Sequence, residues 1–356
     1  AYSGPNKILM DQYCKWGGKT YILYNDTDIE TLFLRKDWLE DPKEKSDFEK
    51  RYGYPLDKPK TVDEFRDQIE FFTRPEEKKW GFAFSWKGEA FLDMFPRILS
   101  QGVLFWDDNM RPNINRPEVV KAIEEMVANK KYGAPGIVDL DFARALEYMG
   151  TGQSYSTLLM TWAQAWFEDA PESKVKGKVT YSAFPGRMFK GELFRPQAQN
   201  FGWGYSVSAF SKNPELAYLF CQWNADPENE AKQFFNPGGW TDASRASHYN
   251  ETLFPKLRRK NGGVYSDEWM QLQYWQMEYC FPPLSLRGAG EYSGVLDEAV
   301  TAVLKGAEKA QPALDRVAKE WEAVTERYGR DSQIQQWNAL KATYGSGLKG
   351  PLGIKV

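Results

Sequence analysis

The chain has 356 residues, 42% hydrophobic and 27% charged, with a formal net charge of −3. That composition excludes disorder, and a charge so near neutral without a basic cluster argues against a nucleic-acid surface. The length predicts two domains of roughly 150 residues each, and no apolar run approaches the roughly 18 residues of a membrane helix.

Three cysteines (Cys14, Cys221, Cys280) and one histidine (His248) are present. None are spaced as metal ligands, so neither a zinc site nor any other metal or cofactor is expected. Cys221 lies in an apolar helical run and reads as a buried thiol. His248 has no nucleophile elbow near it, which argues against a Ser-His-Asp mechanism. Aromatic residues make up 15% of the chain, enough to place some outside the core. Indole and phenol rings offer flat apolar faces with a polar handle, suited to pyranose rings. Core packing is the competing use for each ring.

In chain order, Thr20–Tyr24 and Ile29–Arg35 alternate apolar and β-branched residues and predict strands. Between them lies the acidic turn Asn25-Asp26-Thr27-Asp28. Two carboxylates between two core strands suit ligand binding or catalysis, but polar turn residues are by default an ordinary surface turn, and composition favours that reading. The charged segment 40–60 reads as a solvated excursion. Thr61 and Glu64 form a capping-box pattern for a helix carrying Phe65, Ile69 and Phe72, ending before Pro75. Trp80–Trp86 predicts a strand, and Glu89–Leu99 a helix. Another helix opens at Asn115–Glu118 and buries Val119, Ile123 and Met126. Asp141–Met149 is helical, Leu158–Trp166 apolar, and Lys178–Phe184 a strand. Arg187–Gln199 reads as a polar loop.

Asn200–Phe210 predicts a strand, and Gly202-Trp203-Gly204 lets the backbone approach a neighbour closely. Asn213-Pro214 and Asp226-Pro227 each start a helix. The first of these carries Leu216, Leu219, Phe220 and Trp223, and Gly238–Thr241 ends the second. Phe254–Trp275 is helical. Cys280–Pro283 is a rigid extended break. Helices follow over Tyr292–Gly306 and Pro312–Arg327, and the tail from Gly345 reads as loose. Strands alternating with helices make the class α/β, with no nucleotide motif.

The ordered set of motifs resembles the family 1 extracellular solute-binding proteins, the maltose-binding-protein-like sugar receptors of ABC importers. The matching pieces are Gly18-Lys19 with the acidic turn, Arg35-Lys36-Asp37, and Pro59 to Phe65. Gly150-Thr151-Gly152 with Met160-Thr161-Trp162, the strand Lys178–Gly186, and Gly202-Trp203-Gly204 with Ser211 to Trp223 follow. Tyr292–Gly306 and Ala313–Trp321 complete the set. The resemblance implies a two-lobed periplasmic-binding-protein fold (type II) with a ligand cleft at a hinge. Lobe I would comprise 1–28 and 207–250, and lobe II 29–206 and 251–356. A first strand, helix and strand of lobe I would precede Ala1.

The resemblance further implies a monomeric receptor without catalysis, periplasmic or extracellular, that binds a carbohydrate or polyol and docks to permease subunits. Its ligand contacts would be Tyr24, Asp26, Asp28, Trp86, Trp162, Trp203, Trp240, Arg245, Arg287 and Tyr292. Asp28 and Trp162 carry over best, whereas Trp86, Trp240, Arg245 and Arg287 rest on composition and approximate position. Two alternatives stay open. One is the same fold holding a polyol or glycerol-phosphate-type ligand, with Arg245 and Arg287 meeting an anion. The other is a carbohydrate-active hydrolase using a carboxylate pair.

Overall fold

The computed structural model describes residues 14–16, 18–198, 202–234, 241–249 and 266–354. The strands in chain order are β1 (Lys15–Trp16), β2 (Lys19–Thr20), β3 (Leu23–Tyr24), β4 (Glu30–Arg35), β5 (Trp80–Phe82), β6 (Ser154–Met160), β7 (Val179–Ser182), β8 (Arg187–Phe189), β9 (Glu192–Phe194), β10 (Gln197–Ala198), β11 (Gly204–Tyr205) and β12 (Cys280–Phe281). The first seven helices are α1 (Lys36–Glu40), α2 (Pro42–Tyr52), α3 (Val62–Phe71), α4 (Phe91–Leu99), α5 (Pro117–Asn129), α6 (Phe142–Gly150) and α7 (Ala163–Asp169). The rest are α8 (Pro214–Asn224), α9 (Pro227–Phe234), α10 (Asp267–Glu278), α11 (Ala289–Leu304), α12 (Ala310–Tyr328), α13 (Arg330–Ala342) and α14 (Ser346–Leu352).

A four-stranded sheet, ordered β5-β6-β4-β7, organises most of the molecule. β4 runs antiparallel to both β6 and β7, and β5 parallel to β6. Every residue of β4 is buried, as expected for a central strand covered on both faces. The capping box is present: the Thr61 hydroxyl accepts from the Glu64 amide, and Glu64 reaches back to the Thr61 amide.

The same hydrophobic core continues into the later helices. Trp106 stacks on Trp321 with ring centroids 4.5 Å apart, and Tyr292 and Trp337 meet Trp106 edge-on. The Trp321 indole donates to the Tyr292 carbonyl at 2.9 Å. Offset and edge-on rings of this kind add to burial and fix the angle of α11 against α12.

Several expectations give way to tertiary contacts. The segment 40–60 is not a solvated excursion: it forms α2, whose Phe48 is fully buried against Tyr52, Tyr54 and Phe71. Its charges form the outer face only. Arg187–Gln199 is not a loop but the β8–β9 hairpin, followed by β10 paired to β12. The tail from Gly345 is helical and seated, with Leu348 and Leu352 buried. Gly345 is required there, since a Cβ would sit 2.4 Å from the Glu278 carbonyl oxygen. The long strand over Asn200–Phe210 shrinks to β11, paired with β3. All three cysteines are buried.

The face of α8 departs most from expectation. Leu216, Leu219, Phe220 and Trp223 are each more than half exposed. Among the described residues, Tyr205 meets Phe220 edge-on, and Phe220 stacks with Trp223. The predicted stop at Gly238–Thr241 falls largely outside the described residues.

Candidate functional site

The acidic turn is no surface loop. Asn25, Asp26, Thr27 and Asp28 are each at most 3% exposed. The turn leads from β3 into β4 and is clamped from two sides. On one side, the Trp203 amide donates to the Asp26 carbonyl at 3.3 Å, and the Asn25 amide donates to the Trp203 carbonyl at 3.1 Å. Gly202 permits this approach: it has φ +70°, and a Cβ would lie 2.1 Å from the Asp26 carbonyl oxygen.

On the other side lies the segment 241–249. The Asp242 amide donates to the Asp26 carboxylate at 2.6 Å. The Thr27 hydroxyl donates to the Ala243 carbonyl at 3.4 Å, and the Tyr249 hydroxyl donates to the same carbonyl at 2.8 Å. Asp26, Asp28 and Asp242 thereby converge, each with a carboxylate oxygen within 4.8 Å of the others.

The site lies at the ends of two sheet strands. Glu30 pairs with Met160 across β4 and β6, and the Thr161 amide donates to the Ile29 carbonyl at 3.1 Å. Thr161 and Trp162 therefore follow directly on β6. Ser85 follows β5 and faces Glu89. Gln276 of α10 braces the floor by donating to the Glu30 carbonyl at 2.9 Å and accepting from the Thr31 hydroxyl at 3.1 Å.

The electrostatics follow from burial. Burial pushes the Asp28 carboxyl up to about 6, and the Trp203 indole, which donates to it, works the other way. Asp26 is raised by burial and by the Asp28 charge, against backbone donors at Asp242 and Thr27. Asp242 is raised by burial and then by Asp26 and Asp28. Burial, Glu89 and Asp28 together raise Glu30. The site is strongly acidic, and the groups that favour its charged forms are neutral donors.

The ten expected contact residues divide. Asp26, Asp28 and Tyr24 come together, with the Tyr24 phenol against Gly202. Trp162 stands at the end of β6, buried and tilted against Phe142. Trp203 is 70% exposed, with its indole N–H turned to Asp28. Trp240 lies outside the described residues. Trp86 is buried against Phe82 and spends its indole N–H on Asp93 at 3.2 Å. Arg287 is exposed and lies over the Tyr328 ring, 5.3 Å from its centroid. Tyr292 is fully buried in the tryptophan cluster, its hydroxyl shared with Thr325 and Gln333. These last three take packing roles that their residue types alone could not reveal.

Arg245 reaches no open cleft either. Its Nε donates to the buried Glu230 carboxylate at 2.6 Å, and its other nitrogen to the Ala225 carbonyl at 2.5 Å. Ser244 donates to the second Glu230 oxygen. The pair locks the segment 241–249 onto α9 and so positions Asp242.

His248 lies 3.9 Å from Glu230, both with fully buried side chains. Burial raises Glu230 to about 7 against the Arg245 charge, and burial lowers His248 to about 4. The raised Glu230 value contributes stability below its ordinary 4.5 that is lost as pH rises toward 7. The depressed His248 value contributes stability above its ordinary 6.5 that is lost as pH falls toward 4. The two slopes oppose one another. His248→Gln removes one of them, so on acidification from about pH 7 to about pH 5 the variant gains about 2 kcal/mol relative to the unaltered chain. Urea unfolding at both pH values reads this, and parallel behaviour of the two proteins would contradict it.

Asp242, Glu30, Glu89, Ser85 and Thr161 were not foreseen. Asp242 sits 216 residues from Asp26 in the chain, and no local pattern marks it. A hollow of about 740 Å³ opens elsewhere, at the edge strand β7, bordered by Lys36, Lys58, Gln164, Tyr181 and Glu268.

Residues 10–231 match the sequence profile of the bacterial extracellular solute-binding protein family. Among solved structures, the chain is similar to maltose-bound T. maritima MalE3, with a TM-score of 0.72 at 20% identity, covering 88% of this chain and 75% of that one. It is also similar to an ABC transporter solute-binding protein from Agrobacterium radiobacter K84 in complex with ribitol (TM-score 0.68, 21% identity, 89% and 74% covered). A solute-binding protein from Agrobacterium vitis S4 with bound D-mannitol gives a TM-score of 0.67 at 18% identity, with 92% and 81% covered. The fold is thus the two-lobed α/β binding-protein architecture expected from the motif order.

Proposed function

The chain belongs to the bacterial extracellular solute-binding proteins, and on that premise we propose that it captures a neutral carbohydrate or polyol in the cleft at the acidic turn. It then delivers the solute to the permease of an ABC importer, outside the cytoplasmic membrane. Members of this family are receptors, so the hydrolase alternative falls away. The three similar structures hold maltose, ribitol and mannitol, all neutral polyhydroxy compounds.

The observation that carries the reading is the convergence of Asp26, Asp28 and Asp242 beside the ends of β5 and β6. Ionised carboxylates are acceptors only, and hydroxyl groups are the donors that match them. Asp28 is the principal contact, with Asp26 and Tyr24 behind it and Trp162 and Trp203 as aromatic walls. The lobes divide as the motif order implies, 1–28 with 207–250 and 29–206 with 251–356. Closure about the turn and the Gly202-Trp203-Gly204 stretch sequesters the solute, and the receptor acts as a monomer.

The charge balance speaks against a phosphate-bearing ligand. Arg245 is consumed by Glu230, and Arg287 lies over Tyr328. A thermal-shift panel of neutral sugars, polyols and glycerophosphates tests this. At a concentration about 100 times its Kd, a ligand of the folded state adds about 2.7 kcal/mol. Stabilisation by neutral polyhydroxy compounds is expected, and stabilisation by anionic ones alone would overturn the reading.

A further inference from the structure

We propose that Asp26, Asp28 and Asp242 hold a hard divalent cation of the calcium class. Their carboxylates present one oxygen each, all within 4.8 Å of one another. Calcium–oxygen distances of about 2.3–2.6 Å place two oxygens on a shared ion at most about 5 Å apart. The donor set fits that limit without rearrangement, and all-oxygen coordination selects calcium, magnesium or a lanthanide over zinc or copper.

An independent observation points the same way. Asp242 is 1% exposed. The Thr161 hydroxyl bonds to its carboxylate, which leaves the second carboxylate oxygen buried without a partner. An ionised carboxylate left so in a protein interior is costly unless a counter-charge meets it. The cation nearest along the chain, Arg245, is already bonded to Glu230 and to the Ala225 carbonyl. Glu30 adds a further buried carboxylate with both oxygens unpaired. A divalent ion offsets this charge and staples the turn 25–28 to the segment 241–249. Magnesium, which demands a tight octahedron and keeps its waters, suits three carboxylates at this spread less well than calcium.

The test uses the full chain stripped of metal by chelation. Terbium, a calcium surrogate, is titrated with excitation of tryptophan. Trp203 donates to Asp28 and stands beside the site as the antenna. Sensitised emission should rise, calcium should reverse it in about the micromolar to millimolar range, and magnesium should do so less well. Asp242→Asn should weaken terbium binding at least about tenfold, the loss of one charged ligand. Calcium should also raise the melting temperature of the unaltered chain, which keeps the test decisive if the variant misfolds. No sensitised emission, or an unchanged melting temperature in about 10 mM calcium, would overturn the proposal. Terbium binding by a folded Asp242→Asn variant at unaltered strength would also overturn it. The proposal does not rest on the solute reading. Calcium binding without any solute would sink that reading alone, and solute binding in chelator without cation binding would sink this one alone.

Discussion

Replacing Asp28 with Ala abolishes measurable binding of the neutral solute by calorimetry, a loss of at least about 100-fold. Two hydrogen bonds to a charged acceptor, at about 1.5–3 kcal/mol each, supply that much or more. The side chain is buried, and its carboxyl is held above the ordinary carboxylate range by that burial. Removing it relieves like-charge crowding with Asp26 and Asp242. In the metal-free protein the melting temperature should therefore hold or rise while affinity collapses, as at a site whose strain serves function. Asp28→Asn keeps the size and one acceptor oxygen and should fall between, losing about tenfold. Unchanged affinity in a folded Asp28→Ala variant would remove the turn from the binding site.

The second large effect concerns Arg245. Composition and approximate position put it among the expected ligand contacts, but its guanidinium holds Glu230, whose side chain is fully buried. Arg245→Ala leaves that carboxylate without its cation, and losing one partner of a buried pair costs about 3–5 kcal/mol. Urea unfolding measures it. Glu230→Gln added to Arg245→Met should recover much of the loss, because the pair is then removed rather than broken. Since the pair seats the segment that carries Asp242, solute affinity should fall as well, through position rather than contact. A cost below about 1 kcal/mol would mean that solvent reaches Glu230 and that the clamp is not formed.

The strand and helix periods were readable because they depend on local spacing. The Thr61–Glu64 capping box, the two Asn-Pro and Asp-Pro helix starts, and the fully buried β4 all follow from short-range chemistry. Where the sequence misled, a partner distant in the chain decided the outcome. Phe48 turns a charged segment into a packed helix by meeting Phe71, and Gly345 seats the tail on the end of α10. The candidate site was legible only in half. Asp26 and Asp28 stand out beside each other, whereas Asp242 arrives from 216 residues away. The aromatic count was informative about composition but not about place. Trp86 and Tyr292 proved to be core, and their polar atoms are satisfied there.

The most direct test is a crystal structure of the unaltered chain grown with the neutral solute that stabilises it most. The solute should lie in the cleft, with a hydroxyl within hydrogen-bonding distance of the Asp28 carboxylate and a ring or carbon face toward Trp162 or Trp203. Solute density in the hollow beside Lys58 and Tyr181, with water alone at Asp28, would contradict the account.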